Sequence, residues 1–119
     1  MKDHKDLDVW KSAIDLVMGI YEATALFPRE ELFGLITQMR RAAVSIPSNI
    51  SEGAARQTGK EFIQFLFIAL GSASELETQL IIANKLNLFD KSIYPDLEND
   101  IKSIRILILG LVRSLKEPE

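Results

Sequence analysis

Two apolar seams in the middle of the chain constrain its fold more than any other feature. Ile36, Met39, Ala43, Ile46, Ile50 and Gly53 recur at alternating spacings of three and four. Phe62, Leu66, Ala69, Ala73, Leu76, Leu80 and Ala83 repeat the pattern. Such spacing is the seam of a helix that packs on other helices. Thr58, with Glu61 three residues later, reads as a capping box that starts the second of these helices. The pair is therefore expected to fold back antiparallel around residues 57–59.

A polar row shares the earlier helix: Gln38, Arg41, Ser45, Ser48, Glu52 and Arg56. Glu52 precedes Arg56 by four residues, the favourable order for a helical ion pair. Pro47 interrupts the pattern. It cannot donate to the carbonyl of Ala43, and its ring crowds that turn. The seam keeps phase across Pro47, which predicts a kink; two helices broken there are the competing reading. Ser45, Ser48 and Asn49 are the groups at hand to satisfy the freed carbonyl. In the antiparallel register Arg41 lies level with Glu75, and Arg40 with Glu77. Ala42, Ala43 and Ser45 then meet Gly71 to Ser74, where small residues let the backbones approach closely. An Arg41–Glu75 clasp is the resulting expectation.

The first helix reads from about 7 to 27, with its seam at Leu7, Trp10, Ile14, Val17, Tyr21 and Thr24. Ala13, Leu16 and Ile20 widen the face. Asp6 or Asp8 is a candidate cap, and Pro28 stops the helix. Trp10 falls level with Asn49 and reads as a core or inter-subunit anchor. The short connection from Pro28 to Phe33 favours antiparallel neighbours. The last helix begins near Pro95, which suits a first turn, with its seam at Leu97, Ile101, Ile104, Ile108, Leu111 and Leu115. The reading is an all-α, antiparallel up-down-up-down four-helix bundle, its second helix kinked near Pro47. The single domain spans residues 1–119, with helices at about 7–27, 32–57, 59–86 and 95–116.

The third and fourth helices are too apolar for that bundle standing alone. Ile106 to Val112 is apolar all round, as is Phe62 to Ile68 apart from Gln64, and Leu80 to Ile82 adds a third run. An outer helix should show a polar face, and an apolar patch of this extent marks an interface. A homo-oligomer is predicted, with Phe65, Ile68, Ile82, Ile106, Leu109 and Val112 as interface candidates. The run from Ile104 to Val112 is far short of the roughly 20 residues that span a bilayer. No hydrophobic leader is visible at the N-terminus, and no membrane partner is expected. With no cysteine in the sequence, disulfides and thiolate chemistry are excluded, and a cytoplasmic location is expected.

Charge and motif content narrow the function. Fourteen basic residues face 17 acidic ones, a net charge of -3. Because nucleic-acid affinity comes mainly from neutralised phosphates, the balance argues against generic DNA or RNA binding. The richest basic stretch, residues 31–58, holds Arg40, Arg41 and Arg56 against Glu31 and Glu52. Structural ion pairing is the plainer role for those arginines, and a nucleic-acid contact is the alternative. The one histidine, His4, lies in the N-terminal tail. No phosphate-binding glycine loop and no Glu-x-x-His pair for a di-metal bundle is present. Glu75 and Glu77, two apart on a helix, point to different faces. No enzyme, no cofactor and no metal site is expected. Asn49 and Glu52 near the kink could border a small pocket; satisfying the kink and pairing with Arg56 is the plainer reading.

Gln38 to Ala43, Ser45-Ile46, Asn49-Ile50, Glu52-Gly53, Gly71 to Ala73 and Glu75 to Glu77 together resemble the "four helix bundle protein" family. That family is encoded in intervening sequences of bacterial 23S ribosomal RNA genes and has been labelled ribosomal on that basis. It is similar to the accessory variability determinant of diversity-generating retroelements. The resemblance covers nearly the whole chain, Leu7 to Trp10 included. It implies an antiparallel four-helix bundle and ring-shaped homopentamers, and the family has no established enzymatic activity. The retroelement relatives bind a reverse transcriptase and nucleic acid through basic surfaces, and this acidic chain departs from them there. The resemblance and the residues together predict a non-enzymatic, homo-oligomeric scaffold that docks a protein partner. The alternative is an RNA- or DNA-binding accessory protein associated with a ribosome or a reverse transcriptase. Structural or partner-contact candidates are Arg40, Arg41, Asn49, Glu52, Gly53, Arg56, Glu75 and Glu77.

Overall fold

A computed structural model of the chain describes His4 and residues 7–116, the side chain of Phe33 excepted. Four helices account for the described residues outside the connections: α1 (Asp8–Thr24), α2 (Thr37–Ala54), α3 (Gly59–Lys85) and α4 (Tyr94–Lys116). No strand occurs among these residues.

Cross-helix contacts set the register. Ser45 hydrogen-bonds Ser72 at 2.7 Å, and Gly53 packs on Phe62 and Phe65, so α2 and α3 run antiparallel. Arg40 sits on Tyr21, while Trp10 shares a groove with Pro47 and Ser51, which gives α1 and α2 the same relation. Gly59 lies against Leu115 and Glu77 reaches Arg105 on the α3–α4 side. Gly19 touches Leu97, and Leu7 to Val9 face Ile106 to Gly110, on the α4–α1 side.

The seams of α2, α3 and α4 point into the core. Met39, Ala43, Ile46 and Ile50 are fully buried, as are Leu66, Ala69, Ala73, Leu76, Ile101 and Ile108. Each large aliphatic side chain among them contributes about 1.5–3 kcal/mol by leaving water. The expected seam of α1 is rotated. Val9, Ala13, Leu16, Ile20 and Ala23 form its core face, whereas Trp10, Ile14 and Val17 are half-buried and Tyr21 is exposed. The reason is that α1 is shared between two neighbours: the residues between α2 and α4 are covered, and the row beside α2 borders a groove.

Helix ends follow local chemistry. α2 is one helix through the buried Pro47, which removes the broken alternative. It starts at Thr37 rather than 32, because Gly34 (φ -112°, ψ -109°) leaves helical geometry and residues 32–36 form a wide turn. α1 ends at Thr24, three residues before the expected 27. Leu7 occupies its N-cap without a side-chain bond and Asp8 lies in the first turn, so Asp8 is not the cap; Asp6 lies outside the described residues. At α3 the Thr58 hydroxyl accepts from Glu61 N–H at 3.2 Å, the main arm of the capping box. α3 ends in a Schellman turn: Leu88 N–H donates to Ala83 C=O and Asn87 N–H to Asn84 C=O, with Asn87 at φ 57°. Among the described helices α3 alone is long and apolar enough to cross a membrane. The expectation from Ile104 to Val112 overlooked it, although part of its apolar surface is core here.

Candidate functional site

The polar row of α2 divides among three surroundings. Ser45 turns toward α3 and meets Ser72. Asn49 Nδ2 donates to Ser45 C=O at 2.8 Å and to Ser45 Oγ at 2.9 Å. The acceptor is therefore Ser45, not the carbonyl of Ala43 expected beneath Pro47. Glu52 and Arg56 form an exposed ion pair at 2.9 Å at the far end of the helix. The Arg56 guanidinium also lies 4.7 Å from the Phe65 ring centroid. Arg41 and Ser48 border the groove between α1 and α2.

The two adjacent arginines have different roles. Arg40 reaches back to the C-terminal turn of α1: its Nε donates to Thr24 Oγ1 at 2.8 Å and Nη2 donates to Tyr21 C=O at 3.3 Å. Its guanidinium stacks 4.4 Å from the Tyr21 ring centroid. Thr24, itself fully buried, donates to Ile20 C=O at 2.7 Å. A cation at a helix C-terminus meets the negative end of the helix dipole. Arg40 is thus structural, but through a hydroxyl, a carbonyl and an aromatic face rather than an ion pair. Arg41 is exposed and makes no ion pair among the described residues.

The expected Arg41–Glu75 clasp does not form, nor does Arg40 reach Glu77. The register holds, since Ser45 meets Ser72, but Arg41 projects beside α1 while Glu75 remains exposed on α3. The interhelical ion pair is instead Glu77 with Arg105 of α4, at 2.6 Å and partly shielded from solvent. Sequence reasoning missed Arg105 in this role. The available signal was a lone cation inside the apolar run of α4, where a carboxylate on the facing helix has to be sought.

Gly53 is buried against Phe62 and Phe65, a packing role. Of the interface candidates, Ile106 is 69% exposed, Ile68 51%, and Ile82 and Leu109 each 43%. Phe65 is half-buried beneath Arg56. Val112 is 4% exposed and belongs to the core of its own bundle, which overturns its assignment to an outer surface. It follows Ile104 and Ile108 at helical spacing, so it shares their inward face. Exposed apolar residues that were not singled out include Met18, Tyr21, Val44, Phe67 and Leu107. Tyr21 was hidden by the rotated α1 seam.

Two apolar surfaces result. Phe67, Ile106 and Leu109 crown the α3–α4 side. Trp10, Ile14, Val17, Val44 and Pro47 line the α1–α2 groove, which continues past Val44 to Tyr21, Leu32 and Arg41. No group of three or more His, Cys, Asp or Glu residues among those described could hold a metal ion.

The comparisons agree with this geometry. A crystal structure of a protein with unknown function, from the S23 ribosomal protein family of Bacteroides thetaiotaomicron, superposes with a TM-score of 0.79 at 25% sequence identity. The match covers 88% of this chain and 98% of that one. No curated protein matches the chain. The family of 23S rRNA-intervening sequence proteins is matched over residues 5–110. This chain, an all-helical four-helix protein, belongs to the 23S rRNA-intervening sequence protein family.

Proposed function

We propose that this chain is a non-enzymatic scaffold that assembles with copies of itself, in the ring of five that the family resemblance implies, and docks a protein partner. The observation that carries the reading is the α3–α4 surface. Ile106 is 69% exposed, Phe67 49% and Leu109 43%, on helices whose opposite sides already fill the core. Apolar surface of this extent on a single small domain marks an interaction site. The absence of cysteine from the sequence supports a reducing, cytoplasmic setting.

Size-exclusion chromatography with light scattering, on protein purified without nuclease, tests the reading. A mass of several chains is expected, where one chain is 13.4 kDa. A single-chain mass at micromolar concentration would remove self-assembly.

A second reading, binding of RNA or DNA, is favoured by Arg41, exposed and without an ion-pair partner among the described residues, beside the aromatic ring of Tyr21. The net charge of -3 opposes it. If it holds, nucleic acid elutes with the oligomer, and Arg41→Ala lowers both the affinity and the slope of its salt dependence. Unchanged binding after that substitution would remove Arg41 from the contact.

A further inference from the structure

The α1–α2 groove and the outer edge of α4 carry matching patterns at the same heights along the bundle. Arg40 sits on Tyr21, and Gly19, two residues earlier on α1, touches Leu97 of α4. Asp96 adjoins Leu97, and Asp100 follows by one turn. Arg41, Asp96 and Asp100 therefore lie within about one helical turn of the same level, the arginine on the groove side of α1 and the carboxylates on its α4 side. Toward the N-terminus of α1, Trp10 meets Pro47 and Ser51 in the groove. At that level Leu7 to Val9 face Ile106, Leu107 and Gly110 along the edge of α4. Each surface thus has a charged end and a mainly apolar end in the same order, the apolar end of the α4 edge being flanked by Asp8 and Arg113.

Neither half is satisfied among the described residues. Arg41 makes no ion pair among the described residues. Burial, then the neighbouring carboxylates of Asp96 and Asp15, raise the pKa of Asp100. Ile106 is 69% exposed. A Cβ on Gly110 would meet nothing within 4 Å, so this edge presents bare backbone to whatever approaches it.

We propose that the α4 edge of one copy lies in the α1–α2 groove of the next, with Arg41 set against Asp96 and Asp100, and Ile106 and Gly110 set against Trp10 and Val44. This deepens the self-assembly reading above and rests on it. The contact is head-to-tail, because groove and edge are different surfaces, and repetition of such a contact gives a ring when its rotation closes and its rise is zero. A closed ring has no rise along its symmetry axis. In a ring whose bundles stand along that axis, surfaces of equal height meet, so the charged and apolar matches are satisfied together. Two-fold pairing of groove with groove would instead bring Arg41 close to its own copy, a repulsive arrangement.

Charge reversal on the full-length chain tests the contact, with mass read by light scattering after size exclusion. Arg41→Asp alone, and Asp96→Arg with Asp100→Arg, are each expected to weaken association by about tenfold or more. Combining all three changes is expected to restore the wild-type mass. These side chains are exposed and form no ion pair among the described residues, so far-UV circular dichroism should show each variant folded. Reversals that leave an assembled wild-type mass unchanged would overturn the contact, as would dissociation that the combination fails to repair. A wild-type chain that elutes alone removes the self-assembly reading itself, so the two failures are distinguishable.

Discussion

A Cβ added to Gly53 would stand 2.7 Å from the Cβ of Phe65, closer than two non-bonded carbon atoms approach. It would also lie 2.9 Å from Phe62 Cδ1 and 3.3 Å from the Phe62 carbonyl. The first and last of these atoms are fixed by the α3 backbone, so α2 and α3 would have to separate. Gly53→Ala is expected to cost about 1–3 kcal/mol, the usual range for overpacking. Urea denaturation followed by circular dichroism checks this; an unchanged midpoint would show that the two helices do not approach so closely.

Gly71 is the counter-example on the same helix pair. A Cβ there would meet nothing within 4 Å, and the residue is exposed in the interior of α3. Gly71→Ala should therefore stabilise the isolated fold by about 0.5–1 kcal/mol, by restricting the unfolded chain. A raised melting temperature is the expected result. A loss of stability accompanied by a lower oligomer mass would place a neighbouring copy against this position.

Asn87 holds the left-handed position that ends α3, at φ 57°. Asparagine tolerates that conformation and glycine adopts it freely, whereas a plain Cβ is strained there. Asn87→Ala is expected to cost about 1 kcal/mol, and Asn87→Gly to be neutral or stabilising. Equal melting temperatures for all three proteins would contradict the Schellman turn.

The Glu77–Arg105 pair should couple α3 to α4 more strongly than Glu52–Arg56 holds the C-terminal end of α2. The first spans two helices at 2.6 Å with side-chain exposures of 25% and 34%; the second joins the last turn of α2 to Arg56 just beyond it, at 2.9 Å with exposures of 56% and 42%. A double-mutant cycle with Glu77→Gln and Arg105→Gln is expected to give about 1 kcal/mol of coupling. The matching cycle at Glu52 and Arg56 should give about 0.3–0.5 kcal/mol and fade with added salt. Coupling at Glu77–Arg105 no larger than the surface pair would show that partial burial adds nothing.

By itself the sequence determined the helices and their core stripes on α2, α3 and α4. Period is a local property: Met39, Ala43, Ile46 and Ile50 must share a face once the backbone is helical, whatever lies opposite. The Thr58 cap and the level of Ser45 against Ser72 were legible for the same reason, since a short turn fixes how two helices count against each other. Only the tertiary structure decided how far each helix is rotated and which neighbours flank it. That rotation turned the core of α1 from Trp10 and Tyr21 to Ala13, Leu16 and Ile20, and placed Val112 inside the bundle. It also sent Arg41 to the groove beside α1, and gave Glu77 to Arg105 rather than to Arg40. Long charged side chains choose partners by direction across a groove. Direction depends on the packing of all four helices at once, and no single stretch of sequence contains it.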